Sequence, residues 1–197
     1  MCGRYYVDDE TAQAIEKLVR DLGGKIGDIP RGDIHPIQQA PVIMARSQEI
    51  SVELCPWGFH NFQNKGVIFN ARSETALEKR MFKQSVLKRR CIIPAAAFYE
   101  WNKAKEKFTF RRTDGALLYL AGFYNQYDGE NHFVILTTEP NESVEGVHDR
   151  MPLVLEKAQI EDWLFDDETT EFILHQIPVQ LQRSAEYEQQ TLDFGDV

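Results

Sequence analysis

The chain has 197 residues, of which 43% are hydrophobic, so it is long enough to bury a sizeable core and is predicted to form one domain over 1–197. Its three cysteines cannot all pair and show no CxxC spacing, which argues against a disulfide framework or a zinc site, and no cofactor is expected. Acidic residues stand where a secretory signal would need its apolar region, and no apolar run approaches the roughly 20 residues of a membrane span, so a cytoplasmic location with reduced thiols is expected.

The net charge of −9 is distributed unevenly along the chain. Residues 156–197 hold 11 acidic and 2 basic residues, whereas residues 65–112 hold 13 basic and 4 acidic ones. This division predicts a polarised surface, with the basic block on one face and the acidic segment on another. Solvated helix faces carry similar runs of charge, so the distribution alone does not identify a partner.

The first half of the chain is predicted to contain two helices and two strands. Residues 10–22 place apolar side chains on one helical face and end at a Gly-Gly pair. Residues 30–41 are predicted to be a loop, and the runs VIMAR and ISVELC after it are predicted to be strands. A second helix is predicted to begin at Ser73 or Thr75, because Glu78 completes a capping box with Thr75.

The second half of the chain has the pattern of strands. The runs CIIPAAAFYEW, KFTFRR, ALLYLAGFY and HFVILTT are typical of strands, and two Asp-Gly pairs, at 114–115 and 128–129, indicate hairpins. MPLVL predicts one more strand, residues 158–175 predict one or two acidic helices, and the stretch from 183 is expected to be loosely ordered. The elements together predict an α+β fold, a single domain with a mostly antiparallel, barrel-like β-sheet flanked by helices.

Polar residues stand in apolar or turn contexts in four stretches: MCGRY, FNARSET (69–75), AFYEWNK (97–103) and GVHDRMPLVL (146–155). In the first stretch, removal of Met1 would leave Cys2 with a free α-amine and a thiol on adjacent carbons. That 1,2-aminothiol can do chemistry that no internal cysteine can.

Two further residues have acid–base potential. Glu100 lies among aromatic residues, where desolvation raises the pKa of a carboxyl group toward that of a general acid, although an edge strand could also point it to water. His148 is followed by an acidic residue and Arg150, and a neighbouring cation would keep its imidazole neutral; a lone histidine is otherwise more often structural.

The remaining candidates could position groups or bind anions. Asn70 ends an apolar run and could close a turn or orient a reactive amine. Arg4, Arg72 and Arg150 each lie within two residues of a candidate catalytic group, where a guanidinium suits phosphate or carboxylate binding. Surface solubility is the alternative reading of these three arginines.

The four stretches together resemble the SRAP family (SOS response-associated peptidases, the abasic-site processing proteins). MCGRY is similar to the family's start, FNARSET to its INAR-E motif, FYEW to its WFEW element and VHDRMP to its IHDRMP element. WGF at 57–59 is similar to the family's WG motif, and APV at 40–42 to its AP loop. The resemblance runs in order over residues 2–155, and the acidic segment 156–197 matches poorly.

The resemblance implies a covalent function in the DNA damage (SOS) response. Cys2 would be the nucleophile and would form a thiazolidine with the abasic site, with Asn70, Glu100 and His148 completing the site. The resulting protein–DNA crosslink would shield the lesion, and AP-lyase or autoproteolytic (cysteine peptidase, hydrolase) activity is a further possibility. The implied partner is single-stranded DNA with abasic sites, bound by a monomer that would be nucleoid-associated in a prokaryote.

The resemblance also implies a set of DNA contacts. Arg4, Arg72 and Arg150 would hold phosphates, and Pro41 lies in the AP loop. After the WG motif the chain lacks the Pro and Trp that many family members have. Either Trp57 or Phe62 is expected to offer a face for base stacking. The basic block 65–112 is expected to form an electrostatic groove for the single strand.

Two other classes of function remain open. Class II glutamine amidotransferases, which are N-terminal-nucleophile amidohydrolases, also begin with Met-Cys-Gly, but they need an oxyanion hole and usually a synthetase domain. A non-enzymatic nucleic-acid-binding module is the other alternative, and it predicts that Cys2→Ala leaves function intact.

Overall fold

The computed structural model describes residues 2–21, 26–46, 49–61 and 66–185. Five α-helices lie in these ranges: α1 Asp9–Asp21, α2 Arg80–Lys88, α3 Glu142–Glu145, α4 Ile160–Phe165 and α5 Thr170–Leu174. The strands in the same ranges are β1 Tyr5–Val7, β2 Gly32–Ile34, β3 Gln39–Arg46, β4 Glu49–Pro56, β5 Phe59–Asn61, β6 Gly66–Ile68, β7 Asn70–Arg72, β8 Arg90–Ala95, β9 Ala97–Trp101, β10 Lys107–Arg112, β11 Leu118–Tyr127, β12 Glu130–Thr138, β13 Met151–Pro152, β14 Val154–Leu155 and β15 Leu181–Ala185.

Two main sheets organise the protein. The larger has the strand order β13-β12-β11-β8-β3-β4, with β14 beside β11 and β7 beside β12, and the smaller has the order β15-β10-β9-β1-β2. Every pairing between these strands is antiparallel except that of β7 with β12. The predicted α+β class with mostly antiparallel strands is confirmed, although the described strands form open sheets and are barrel-like only in the loose sense that two sheets enclose one core.

Alternating side chains bury both faces of the larger sheet. On β8, Ile93 belongs to the cluster that packs against the smaller sheet and α1, and Ile92 belongs to the cluster that packs against α2, α4 and α5. The same alternation holds for Leu120 and Ala121 on β11, as the two-residue period of a strand requires. The larger sheet is therefore the middle layer, and the site described below lies on its side toward the smaller sheet.

The run CIIPAAAFYEW, predicted as one strand, is divided between the two sheets. It forms β8 in the larger sheet and β9 in the smaller one, with Ala96 between them. Ala96 still pairs, because its N–H donates to the carbonyl of Tyr6 at 2.8 Å. This change of sheet carries Glu100 away from the hydrophobic interior of the larger sheet and toward the start of the chain.

Other predicted elements are confirmed or corrected. Helix α1 is confirmed, and the Gly-Gly pair expected to end it lies outside the described residues. The loop predicted over 30–41 is wrong in part, because β2 and the start of β3 lie within it and pair with β1 and β4. The helix predicted from Ser73 or Thr75 is a single 3₁₀ turn there, and α2 begins only at Arg80, without a side-chain cap.

The C-terminal third agrees with the sequence in its helices and differs in its last strand. Helices α4 and α5 occupy the acidic stretch predicted over 158–175. Loose order was expected from 183, but β15 pairs there with β10, and the residues after 185 lie outside the described part. All three cysteines are unpaired and buried, and none of the described helices is long and apolar enough to cross a membrane.

Candidate active site around Cys2

Strand pairing brings the amino terminus and Glu100 together. β1 and β9 pair with Tyr5 opposite Phe98, and the N–H of Tyr99 donates to the carbonyl of Arg4 at 3.1 Å. Continued by two residues from Tyr5, this register sets Gly3 opposite Glu100. Cys2 is fully buried, and burial is the main cause that raises the pKa of its thiol, with the nearby Glu100 charge as a second cause. The Cys2 thiol is therefore held in its neutral form.

Asn70 fixes the main chain of Cys2 from the other sheet. It begins β7, which pairs in parallel with β12, and its Nδ2 donates to the carbonyl of Cys2 at 2.7 Å. Its Oδ1 is buried and has no hydrogen-bond partner among the described residues. Asn70 thus holds the carbonyl of Cys2 and presents a second polar atom inside the same site.

Glu100 and His148 face each other beside Cys2. Oε2 of Glu100 lies 3.8 Å from Nε2 of His148. Glu100 is 3% exposed, and desolvation raises its pKa to about 7, with the charge of Asp149 acting in the same direction. Burial also lowers the pKa of His148. Glu100 can therefore gain or lose a proton near neutral pH, whereas the imidazole of His148 is kept neutral there.

Two neighbours of Nδ1 bear on the tautomer of His148. The main-chain N–H of Arg150 donates to Nδ1 at 3.0 Å, which favours a neutral ring with its proton on Nε2, toward Glu100. Oδ1 of Asp149 also lies 3.0 Å from Nδ1, and this exposed carboxylate would favour a proton on that nitrogen instead. The two neighbours of Nδ1 therefore favour opposite tautomers.

The predicted DNA-binding arginines have three different environments. Arg4 is half-buried, with its guanidinium 3.4 Å from Asp33 and 5.1 Å from the ring centroid of Trp101. Arg72 is exposed at the end of β7, two residues after Asn70. Arg150 is almost buried, and its two terminal nitrogens bond the two carboxylate oxygens of Glu74, each at 2.8 Å. Phosphate binding stays a prediction for all three, and Arg72 has the most open position.

The predicted aromatic and proline contacts are corrected by burial. Trp57 has no exposed surface: its Nε1 donates to the carbonyl of Phe69 at 2.8 Å, and its ring stacks on Phe133 with centroids 6.1 Å apart. Pro41 is buried within β3, opposite Leu54, and does not lie on a surface loop. Neither side chain is available to DNA in this structure. Phe62 lies outside the described residues.

The predicted separation of basic and acidic surfaces is wrong in part. Lys88 and Arg90 of the basic block both pair with Asp167 of the acidic segment, at 2.6 and 2.9 Å. Arg112 pairs with Glu156 at 3.1 Å. These contacts form because α4, α5 and the turn before them pack on the larger sheet beside the strands of the block. Part of the basic block therefore anchors the C-terminal segment.

Two residues that border the site, Trp101 and Glu74, were not predicted from the sequence. Trp101 follows Glu100 and lies half-buried under Arg4, and its place in the FYEW stretch was the available signal. Glu74 is the partner of Arg150, and only its place in the FNARSET stretch pointed to it. An open cleft of about 800 Å³ lies beside His148 and is also lined by Asn102, Lys103, Glu139 and Asp149. Within the described ranges no three His, Cys, Asp or Glu side chains are grouped as metal ligands would be.

Fold and site together define an α+β protein whose amino-terminal cysteine is buried beside a Glu–His pair. The chain matches the family model described as SOS response associated peptidase (SRAP) over residues 1–192, and it belongs to that family. The match extends into the acidic segment.

Several known proteins are similar to this chain. It is 35% identical over 179 residues to the abasic site processing protein YoaM of Bacillus subtilis, a match that covers 83% of this chain and 79% of that one. It is 28% identical over 176 residues to the abasic site processing protein YedK of Escherichia coli, with 83% and 79% covered. A solved structure from Bordetella bronchiseptica, 24% identical, has the same fold with a TM-score of 0.76 over 93% of this chain and 99% of that one.

Proposed function

We propose that this protein processes abasic sites in single-stranded DNA by forming a covalent crosslink through Cys2. The observation that carries the proposal is the convergence on Cys2 of Asn70 from the larger sheet and of Glu100, beside His148, from the smaller one. The relatives named as abasic site processing proteins support the class of lesion.

The proposed reaction uses the amine and the thiol of the same residue. An abasic site equilibrates with an open-chain aldehyde, and after removal of Met1 the α-amine of Cys2 attacks its carbonyl carbon to give a carbinolamine. Loss of one water gives an imine. The thiol sulfur then adds to the imine carbon, the thiol proton passes to the nitrogen, and a five-membered thiazolidine is closed. Because the thiol is one carbon from the amine, this closure is intramolecular and fast.

The buried acid and the neutral imidazole suit two different steps. Glu100, with a pKa of about 7, can protonate the hydroxyl that leaves the carbinolamine as water. With its proton on Nε2, His148 can assist the opening of the sugar ring by donating a hydrogen bond from that nitrogen, which lies 3.8 Å from Glu100. The neutral thiol of Cys2 is the form that supplies the proton needed in ring closure.

Asn70 supports the amine directly. With Met1 removed, the free α-amine belongs to Cys2, the residue whose carbonyl already accepts a hydrogen bond from Asn70. The buried Oδ1 of Asn70, unpartnered among the described residues, is an acceptor for an N–H of that amine. Such a bond would aim the nitrogen lone pair at the aldehyde.

DNA binding is proposed to use the exposed side of this site. Arg72 and Arg4 would contact phosphates, and the face of the Trp101 ring that Arg4 does not cover would stack on a base. The crosslink would shield the lesion in the SOS response. The same residues would also allow AP-lyase cleavage and removal of a short N-terminal extension by Cys2. These two reactions can be distinguished from crosslinking because one gives cleaved DNA and the other gives a shortened protein.

A denaturing gel tests the crosslink. Protein is mixed with a single-stranded oligonucleotide that carries one abasic site, and a slower band is expected with the wild type and not with Cys2→Ala. Intact-mass analysis should give the sum of protein without Met1 and DNA, less one water. Retained Met1 in the crosslinked species, or a band unaffected by Cys2→Ala, would refute the mechanism. Ammonia release from glutamine would instead support the amidohydrolase alternative.

A further inference from the structure

A charged pair ties together the two halves of the Cys2 site without contacting Cys2. The guanidinium of Arg150 bonds both oxygens of Glu74 at 2.8 Å and also donates to the carbonyl of Thr137 at 2.6 Å. We call this arrangement the Glu74–Arg150 clamp.

The clamp spans three strands. At Thr137, β12 pairs with Arg72 of β7 on one side and with Pro152 of β13 on the other. Arg150 immediately precedes β13, and Glu74 follows β7 in a 3₁₀ turn. The clamp therefore crosses the end of β12 and connects the strand that begins with Asn70 to the loop that carries His148.

The clamp also fixes the residue whose main chain bonds His148. Arg150 donates its N–H to Nδ1 of His148, and the position of this N–H depends on a side chain held at three points. Asp149, whose side chain is 88% exposed, lies beside the same nitrogen, but its carboxylate is an acceptor and would require a proton on Nδ1. A solvated carboxylate is a weak competitor as long as the main-chain donor stays in place.

We propose that Glu74 is a positioning residue: through Arg150 it keeps the proton of neutral His148 on Nε2. That proton faces Glu100, so Nε2 can donate a hydrogen bond to the carboxyl group when the two side chains approach. The consequence for crosslinking rests on the proposed function, whereas the position of the proton can be measured in the protein alone.

Several charged groups besides Glu74 lie near His148 and could affect which of its ring nitrogens carries the proton. Glu100 faces it from β9, and Asp149 and Arg150 adjoin it in its own loop. Lys103, Glu139 and Glu145 line the same cleft. Burial would raise the pKa of Glu74, but its hydrogen bonds from Arg150 outweigh that effect and keep the carboxyl ionised at neutral pH.

The direct test is ring-nitrogen NMR of ¹⁵N-labelled protein without DNA, at about pH 8, where the imidazole is neutral. The His148 signals are assigned by their loss in His148→Gln. The wild type should show the Nε2–H form. Glu74→Gln should show a mixture shifted toward the Nδ1–H form, and Glu78→Gln, a matched change at an exposed position of the same segment, should match the wild type.

A second variant tests the competition with Asp149. Adding Asp149→Asn to Glu74→Gln should return the proton toward Nε2, because the carboxylate that favours Nδ1–H is removed. If Glu74→Gln does not fold, Glu74→Asp keeps the charge with a shorter reach and should give a smaller shift in the same direction. An unchanged Nε2–H form in any folded Glu74 variant would overturn the proposal.

Crosslinking kinetics test whether the position of the His148 proton affects the rate of the proposed reaction. Glu74→Gln should crosslink between about tenfold and about a hundredfold more slowly than the wild type at equal DNA occupancy, the range expected when a reacting group is misplaced. The double variant should recover part of that loss. If the wild type forms no crosslink, the proposed function fails while the NMR result still decides the role of Glu74. A tautomer shift without any change in rate would refute the positioning role.

Discussion

The raised pKa of Glu100 predicts a bell-shaped pH dependence of crosslinking. The reaction needs Glu100 protonated, which is lost as pH rises through about 7. It also needs the Cys2 amine neutral, and a terminal amine has a pKa of about 7.7–8.0. With these two values the reactive protonation state peaks at about pH 7.4, where it makes up roughly 8% of the protein, and it is roughly twentyfold scarcer two pH units to either side.

Replacement of Glu100 by glutamine should remove one side of this bell. Glu100→Gln keeps the size of the side chain but cannot donate a titratable proton, so the rate should level off above about pH 8 instead of falling. The rate near the optimum should drop by about 10²–10⁴-fold, the range for loss of a general acid. Binding of the intact oligonucleotide should change little, because the buried carboxyl group is not placed to contact phosphate.

The assay is a single-turnover time course with protein in excess, in buffers without primary amines, at constant ionic strength, resolved on denaturing gels. Glu78→Gln, an exposed position, serves as the matched control and should reproduce the wild-type profile. A wild-type rate that stays level from about pH 6 to about pH 9, or a falling alkaline limb that persists in Glu100→Gln, would refute the assignment of Glu100 as the acid.

Four substitutions test the thiol, the amide, the buried carboxyl group and DNA binding separately. Cys2→Ser should give only an imine that borohydride traps and no stable thiazolidine, and a borohydride-independent crosslink would contradict the role of the thiol. Asn70→Ala removes the 2.7 Å bond to the Cys2 carbonyl and should cost about 1–3 kcal/mol in the crosslinking barrier, seen as a slower single-turnover rate; an unchanged rate would argue against positioning by this amide. Glu100→Gln should unfold at a higher temperature than the wild type at about pH 8. The folded protein binds the Glu100 proton more tightly than the unfolded chain, so the free energy of unfolding of the wild type falls as pH rises from about 4.3 to about 7. The variant should avoid this loss, which is about 3–4 kcal/mol. No difference in calorimetry would show that Glu100 is not destabilised as a carboxylate. Arg72→Ala should weaken single-strand binding and lower the salt dependence by about one ion, whereas Arg20→Ala on α1 should do neither.

The local chemistry of the site could be predicted from the sequence. A cysteine after the initiator methionine, a glutamate among aromatic residues and a histidine two residues before an arginine are weak signals taken singly, but their occurrence together in four stretches that resemble one family identified them before any contact was known. The amphipathic α1 and the hairpin strands were also visible, because their periodicity is set by local geometry. The structure agrees with the choice of Glu100 and His148 as acid–base candidates, because burial raises the pKa of Glu100 and lowers that of His148.

What the tertiary structure decided is which of these residues meet and which are covered. Pairing between β1 and β9 sets the amino terminus beside Glu100, and no local pattern encodes a pairing across more than ninety residues. Trp57 looked like a stacking platform and is a fully buried core residue, because exposure depends on what packs on both faces of the ring. Arg150 looked like a phosphate ligand, and only the fold revealed Glu74 as its partner across the end of β12. Residue types determine what chemistry is available, whereas long-range packing determines the neighbours that tune it.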